Sequence, residues 1–192
     1  MPRHARVIPL IGYMHIISRG NNRRKLFRHE RDKKRYYLYL MHSKFEDKID
    51  ILHYCIMSNH LHLLVGVNQT SDLSRFMKRV NLKYTCYYQS KYTYCGHLWQ
   101  NRFKGKIIDN EIYLIRCGKY IELNPVRAGI VFSPQHYKFS SYHYYAFGEN
   151  DALITPNPLY EDLSLEQKKR WYLYRNLMMD EEEIRDKILV CS

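Results

Sequence analysis

The chain is short of acidic residues, of paired cysteines and of long apolar runs, and each shortage removes a class of protein. Nowhere do apolar residues approach the roughly 18 in a row that a membrane-spanning helix needs. The start, Met1 to Gly12, carries Arg3 and Arg6 and then only Val7-Ile8-Pro9-Leu10-Ile11. That is short of the apolar core and small-residue cleavage site of a secretory signal. The five cysteines (55, 86, 95, 117, 191) are odd in number and never spaced C-x-x-C. A disulfide framework or a cysteine zinc site is therefore not expected; buried reduced thiols and a cytoplasmic location are. Hydrophobic residues at 45% and charged residues at 26% argue against long-range disorder. At 192 residues there is room for one domain and an appendage.

Basic charge and tyrosine are what the chain has in excess. Thirty-one Lys+Arg stand against 19 Asp+Glu, a net +12. Residues 151–192 hold nine acids and six bases, so this segment is −3 and residues 1–150 carry +15. Nineteen tyrosines outnumber seven phenylalanines. Positive charge with many flat amphipathic rings favours a nucleic-acid partner over a small acidic substrate, with a membrane surface as the rival.

Residues 10–18 read as a first strand, followed by the basic turn Arg19-Gly20-Asn21-Asn22-Arg23-Arg24-Lys25. A helix is predicted from about Glu30 to Phe45, with Tyr37, Leu40, Met41 and Phe45 at helical spacing. Two apolar runs, Ile49 to Met57 and Leu61 to Val67, joined by Ser58-Asn59, predict a hairpin. Asp72 can cap a second helix that buries Leu73, Phe76, Met77, Val80, Tyr84 and Tyr87. Residues 97–109 suggest a fourth strand, and Glu111 to about Asn124 a third helix stopped by Pro125. The order strand, helix, strand, strand, helix, strand points to an α+β fold. Its ferredoxin-like core would be a four-stranded antiparallel sheet with helices on one face. One more helix follows, then a helical C-terminal extension over 149–192 that packs on the 1–148 unit, with 164–189 reading as helix.

On a strand, His60 and His62 share one face while Leu61, Leu63 and Val65 share the other. Such a pair is either a metal half-site or an incidental structural feature. In the third helix Tyr120 and Asn124 lie about one turn apart on one side, with Tyr113 and Arg116. Glu122, at i+2, is rotated by roughly 200° and is not expected to share a site with Tyr120. Gly118, inside the same helix, has two readings, a close packing contact or a hinge.

Four segments carry a resemblance. Met57-Ser58-Asn59-His60-Leu61-His62-Leu63-Leu64-Val65 resembles the His-hydrophobe-His motif of the HUH superfamily of DNA-nicking enzymes. Leu98-Trp99-Gln100-Asn101-Arg102-Phe103-Lys104 and the run Tyr120-Ile121-Glu122-Leu123-Asn124-Pro125-Val126-Arg127-Ala128-Gly129 are similar to downstream signatures of one branch. The opening His15-Ile16-Ile17-Ser18-Arg19-Gly20-Asn21-Asn22-Arg23 fits it too. That branch is the REP-associated tyrosine transposases, relatives of the single-tyrosine insertion-sequence transposases.

The resemblance implies that His60, His62 and Asn124 bind a divalent metal, Mg²⁺ or Mn²⁺, and that Tyr120 is the nucleophile. It implies a single-stranded DNA endonuclease and strand transferase. Such an enzyme acts on hairpins through a covalent 5′-phosphotyrosine, without a nucleotide cofactor. Candidate DNA contacts are Arg19, Arg23, Arg24, Lys25, Arg102 and Lys104. Trp99 would either stack on an unpaired base or pack in the core. Insertion-sequence relatives share active sites in dimers, whereas the REP-associated branch implies a monomer. The main alternative is a domesticated hairpin-binding protein that no longer cuts. Against it stands the retention of His60, His62, Tyr120 and Asn124. A relaxase or replication initiator would call for a larger chain.

Overall fold

Side-chain alternation along the strands divides this molecule into a face that makes the core and a face that carries polar groups. The computed structural model describes residues 7–179. Four strands, β1 (Gly12–Arg19), β2 (Asp50–Ile56), β3 (His60–Val67) and β4 (Lys104–Ile108), form one antiparallel sheet in the order β2-β3-β1-β4. Helices α1 (Glu30–Glu46) and α2 (Leu73–Tyr92) pack against each other over one face, while α3 (Glu111–Arg127) crosses the other face on β2 and β3. The ferredoxin-like order expected from the element pattern is the one observed. The third helix is the addition that gives the second face a roof.

On the first face, Met14, Ile16, Leu61, Leu63 and Val65 meet Tyr36 and Leu40 of α1 and Leu73, Phe76, Met77, Val80, Tyr84 and Tyr88 of α2. The α2 stripe runs as predicted until its last turn, where Tyr88, not Tyr87, is fully buried; 3.6 residues per turn carries a long stripe past its first estimate. In α1 the buried apolar positions are Tyr36 and Leu40, and Phe45 is exposed, so the predicted apolar face is rotated. Asp72 accepts a hydrogen bond from the Arg75 backbone N–H, as a cap should.

Much of the tyrosine surplus is spent here. Tyr36, Tyr84 and Tyr88 are fully buried, yet each hydroxyl donates outward, to Asn81 Oδ1, Leu26 O and Lys25 O respectively. Rings fill the core while their hydroxyls tie the 19–29 loop and α1 to α2.

On the second face, Leu114, Cys117 and Ile121 of α3 cover Leu52, Cys55, Leu64 and Ile108. A bulge between Ile51 and His53 lets Leu52 and His53 both turn toward α3. Two expectations need correction. β4 is confined to Lys104–Ile108, because residues 98–100 instead pair with the end of β1 through a Gly20–Trp99 bridge. And α3 does not stop at Pro125 but continues to Arg127. Proline removes the N–H that would reach the Ile121 carbonyl. The Asn124 side-chain amide donates to that carbonyl at 3.4 Å and to Tyr120 O at 2.8 Å, which repairs the ladder.

Beyond Gly129 the chain wraps the α3 side with α4 (Tyr142–Phe147), α5 (Pro158–Glu161) and α6 (Gln167–Met179). Of the helix expected over 164–189, residues 180–189 lie outside the described part. The extension is joined to α3 by a buried polar cluster. Glu122 accepts from Ser141 Oγ and from Tyr174 Oη at 2.7 Å, and pairs with His53 Nδ1 at 2.9 Å. Lys119 Nζ donates to the Leu177 carbonyl. Among the described cysteines none is cross-linked; Cys55 and Cys117 are buried as expected, but Cys86 and Cys95 are exposed. No helix among the described residues is long and apolar enough to cross a membrane.

Candidate active site

His60 and His62 leave β3 on the α3 face, where β1 adds a third imidazole, His15. His15 Nε2 and His62 Nδ1 are 2.9 Å apart, and the two rings stack with centroids 5.1 Å apart. His60 stands edge-on to His62 at 4.9 Å, its Nδ1 2.6 Å from Asn59 Oδ1. Unlike His15, which is engaged through Nε2, His60 and His62 each have Nδ1 engaged by a neighbour, which leaves Nε2 as the nitrogen that could take a ligand. This is how ligating imidazoles are oriented in metal sites.

Tyr120 comes down from α3 onto these rings. Its ring lies 5.7 Å from that of His62 and 5.8 Å from that of His15, edge-on to both. Asn124 is one turn further along α3 and half-buried. Its amide nitrogen is committed to the helix carbonyls, so Oδ1 is the atom it can offer a cation. Another turn on, the Arg127 guanidinium sits 4.8 Å over the Tyr120 ring. Tyr120, Asn124 and Arg127 follow the i, i+4, i+7 rule of one helix face.

Burial decides the charge state of the imidazoles. It holds His60 at about 4, helped by the Arg19 charge, and His15 at about 4, helped by Lys106. His62 is pushed well below the ordinary value by burial and by its neighbours His15, His60 and Arg19. At neutral pH all three are uncharged, the only form in which imidazole can bind a metal. Among the described residues no group of three or more His, Cys, Asp or Glu side chains is arranged as a metal cage. A set of two imidazoles and an amide oxygen would suit a hard or borderline cation that keeps water or phosphate oxygens, and not a closed tetrahedral zinc site.

The expected DNA contacts gather at one corner beside this site. Arg19 faces His60 across the β1–β3 ladder, and Gln100 N donates to the Arg19 carbonyl at 2.9 Å. Arg23, Arg24 and Lys25 are exposed on the following turn, where Asn22 and Arg23 have positive φ angles of 49° and 54°. Arg24 lies 4.5 Å over the Tyr94 ring. Arg102 and Lys104, also exposed, line an open groove with Asn21, His97, Trp99 and Gln100. Trp99 is less available than a stacking platform would be. It is half-buried against Tyr36 and Tyr84, and its indole N–H donates to Asn81 O and Thr85 Oγ1 of α2.

Glu122 is turned away from Tyr120, as the helix geometry required, into the cluster with His53 and Tyr174. At Gly118 an added Cβ would stand 2.7 Å from His53 Nε2, which answers the choice between packing and hinge in favour of packing. Sequence reasoning assigned no role to His15 or Arg127, although both lie inside quoted motifs. The usable signals were the strand register that brings His15 beside His62, and the i+7 spacing of Arg127 from Tyr120.

The four-stranded ferredoxin-like sheet thus presents paired histidines to a helix-borne tyrosine. The family model described as "Transposase IS200 like" matches residues 11–124, and the chain belongs to that family. Among solved structures, the fold is similar to a REP-associated tyrosine transposase bound to a REP hairpin. The TM-score is 0.67 at 19% identity, covering 82% of this chain and 93% of that one. A candidate transposase from Deinococcus radiodurans R1 aligns with a TM-score of 0.44 at 15% identity, over 67% of this chain and 92% of that one. No curated protein matches the sequence.

Proposed function

We propose that this member of the family is a divalent-metal-dependent enzyme that nicks and rejoins single-stranded DNA at hairpins, through a 5′-phosphotyrosine on Tyr120. The observation that carries the reading is the meeting of Tyr120 with His62 and His15, at 5.7 and 5.8 Å between ring centroids, beside His60. His60 Nε2, His62 Nε2 and Asn124 Oδ1 would hold Mg²⁺ or Mn²⁺. When bound, such an ion polarises the scissile phosphate and offsets the charge that builds on it.

Tyr120 Oη attacks phosphorus. The Oη–P bond forms as the P–O3′ bond breaks. The phenolic proton is lost, and the departing 3′ oxygen takes one up to become a free hydroxyl. Attack by a 3′-hydroxyl on the phosphotyrosine reverses the step. The ester is conserved in the protein link, so no nucleotide cofactor is needed. Arg19, Arg23, Arg24, Lys25, Arg102 and Lys104 hold the phosphate backbone at the corner next to His60. His60, His62 and Tyr120 meet within one chain, which supports action as a monomer. We take residues 1–148 as the catalytic unit, 149–192 as its extension and the cytoplasm as its place of action. The four motifs, with the likeness to a hairpin-bound REP-associated structure, support that branch of the family.

The test is an adduct assay. A labelled single-stranded hairpin oligonucleotide is incubated with protein and Mg²⁺ or Mn²⁺ and run on a denaturing gel. A covalent band is expected that vanishes in Tyr120→Phe and with EDTA, while native-gel binding persists. Absence of a band across varied hairpins, with binding intact, would establish the non-cutting alternative instead.

A further inference from the structure

We propose that Arg127 is a catalytic residue of this site, a cation that grips the scissile phosphate beside Tyr120. The proposal rests on the reading of Tyr120 as nucleophile. Three observations carry it. First, the guanidinium lies 4.8 Å from the centroid of the Tyr120 ring, so it shares a helix face and a contact with the attacking residue. Second, Arg127 is exposed, so its guanidinium can meet a phosphate arriving from solvent, and none of the ion pairs among the described residues includes it. Third, it stands on the last turn of α3, two turns from Tyr120 and one from Asn124, on a helix whose end is kept regular past Pro125 by the Asn124 amide.

The chemistry needs such a group. As Tyr120 Oη bonds to phosphorus and the P–O3′ bond breaks, negative charge concentrates on the two non-bridging oxygens of the five-coordinate arrangement. A guanidinium offers a planar fork that matches two phosphate oxygens at once. Its cation–π contact with Tyr120 fixes the ring and the fork relative to each other before substrate arrives, so little reorganisation remains for the reaction itself.

The experiment compares single-turnover adduct formation by the full-length protein, Arg127→Ala and Arg127→Lys on a metal-supplemented hairpin oligonucleotide. Hairpin affinity is followed by fluorescence anisotropy and folding by thermal melting. Arg127→Ala should bind the hairpin within a few-fold of the parent protein yet form adduct about 10²- to 10³-fold more slowly, the loss typical of removing one transition-state donor. Arg127→Lys, which keeps the charge but not the fork, should recover part of that loss.

The deciding arm replaces the scissile phosphate by a neutral methylphosphonate. With one oxygen charge removed, the deficit of Arg127→Ala should shrink at least tenfold, which a purely structural role would not produce. An equal deficit on both substrates, or a parent-like rate for Arg127→Ala on the phosphate, overturns the proposal and leaves the reading of Tyr120 standing. No adduct from the parent protein overturns both.

Discussion

Two side chains near the tyrosine illustrate how much a single atom position decides. A methyl group at Gly118 would intrude on the His53 ring, which is itself held by Glu122 and by Asn157 Nδ2 at 3.1 Å, and cannot retreat. Gly118→Ala should therefore destabilise by about 1–3 kcal/mol despite the better helix propensity of alanine. Thermal melting should show a lower Tm; a higher one would mean that the helix yields freely here. His15 acts through its neighbour, since its Nε2 engages His62 Nδ1 and sets the aim of the other ring nitrogen. On the proposed metal set, His15→Ala should weaken Mn²⁺ binding by about 10- to 100-fold, the usual effect of losing such a supporting partner. Titration of free Mn²⁺ by electron paramagnetic resonance reads this directly. Unchanged affinity would reduce His15 to a packing residue.

At the scale of elements, α1 is anchored at its first turn by Asp32, which is fully buried and lies under the last turns of α2. Burial alone would raise its carboxyl, but bonds donated by Lys91, Tyr92, the His29 backbone and Tyr87 outweigh that and hold it at about 2, below the usual 3.8. A depressed folded value means that the stabilisation is complete above the unfolded pKa and lost as pH falls through the folded one. Stability should thus decline between about pH 4 and pH 2 through this group. Melts across that range should be less pH-dependent in Asp32→Asn than in the parent protein.

The α2 stripe and the β3 alternation were legible in sequence because burial on one face writes a period of 3.6 or 2 into the residue pattern. The extent of β4 was not, since Leu98 to Gln100 and Lys104 to Ile108 are equally strand-like and only tertiary pairing separates them. Pro125 misled for a related reason. The residue that lets the helix pass it is the preceding asparagine side chain, a contact that no propensity records. Tyr120, Asn124, His60 and His62 were proposed from motif and helix arithmetic, and the structure brings His60, His62 and Tyr120 together. His15 and Arg127 became visible only when register and side-chain direction put them beside that set.

For the whole molecule, the segregation of charge has a thermodynamic signature. Exposed Arg19, Arg23, Arg24, Lys25, Arg102 and Lys104 ring the corner next to the histidines. If about six phosphates are neutralised there, hairpin affinity should fall roughly 10³-fold between 50 and 200 mM salt through counterion release. Anisotropy titrations at several salt concentrations give the slope, and a flat response would remove these residues from the DNA interface.

The two-faced sheet also constrains how the gene can change. Replacing His60, His62 or Tyr120 touches only the α3 side, so under the proposed function the chain could lose its chemistry by point substitution and keep its fold. Deleting one residue inside β3 is another matter. It would swing Leu61, Leu63 and Val65 toward α3 and drive His60 and His62 into the tyrosine core. For the fold, length in this strand matters more than the identity of the side chains on its α3 face.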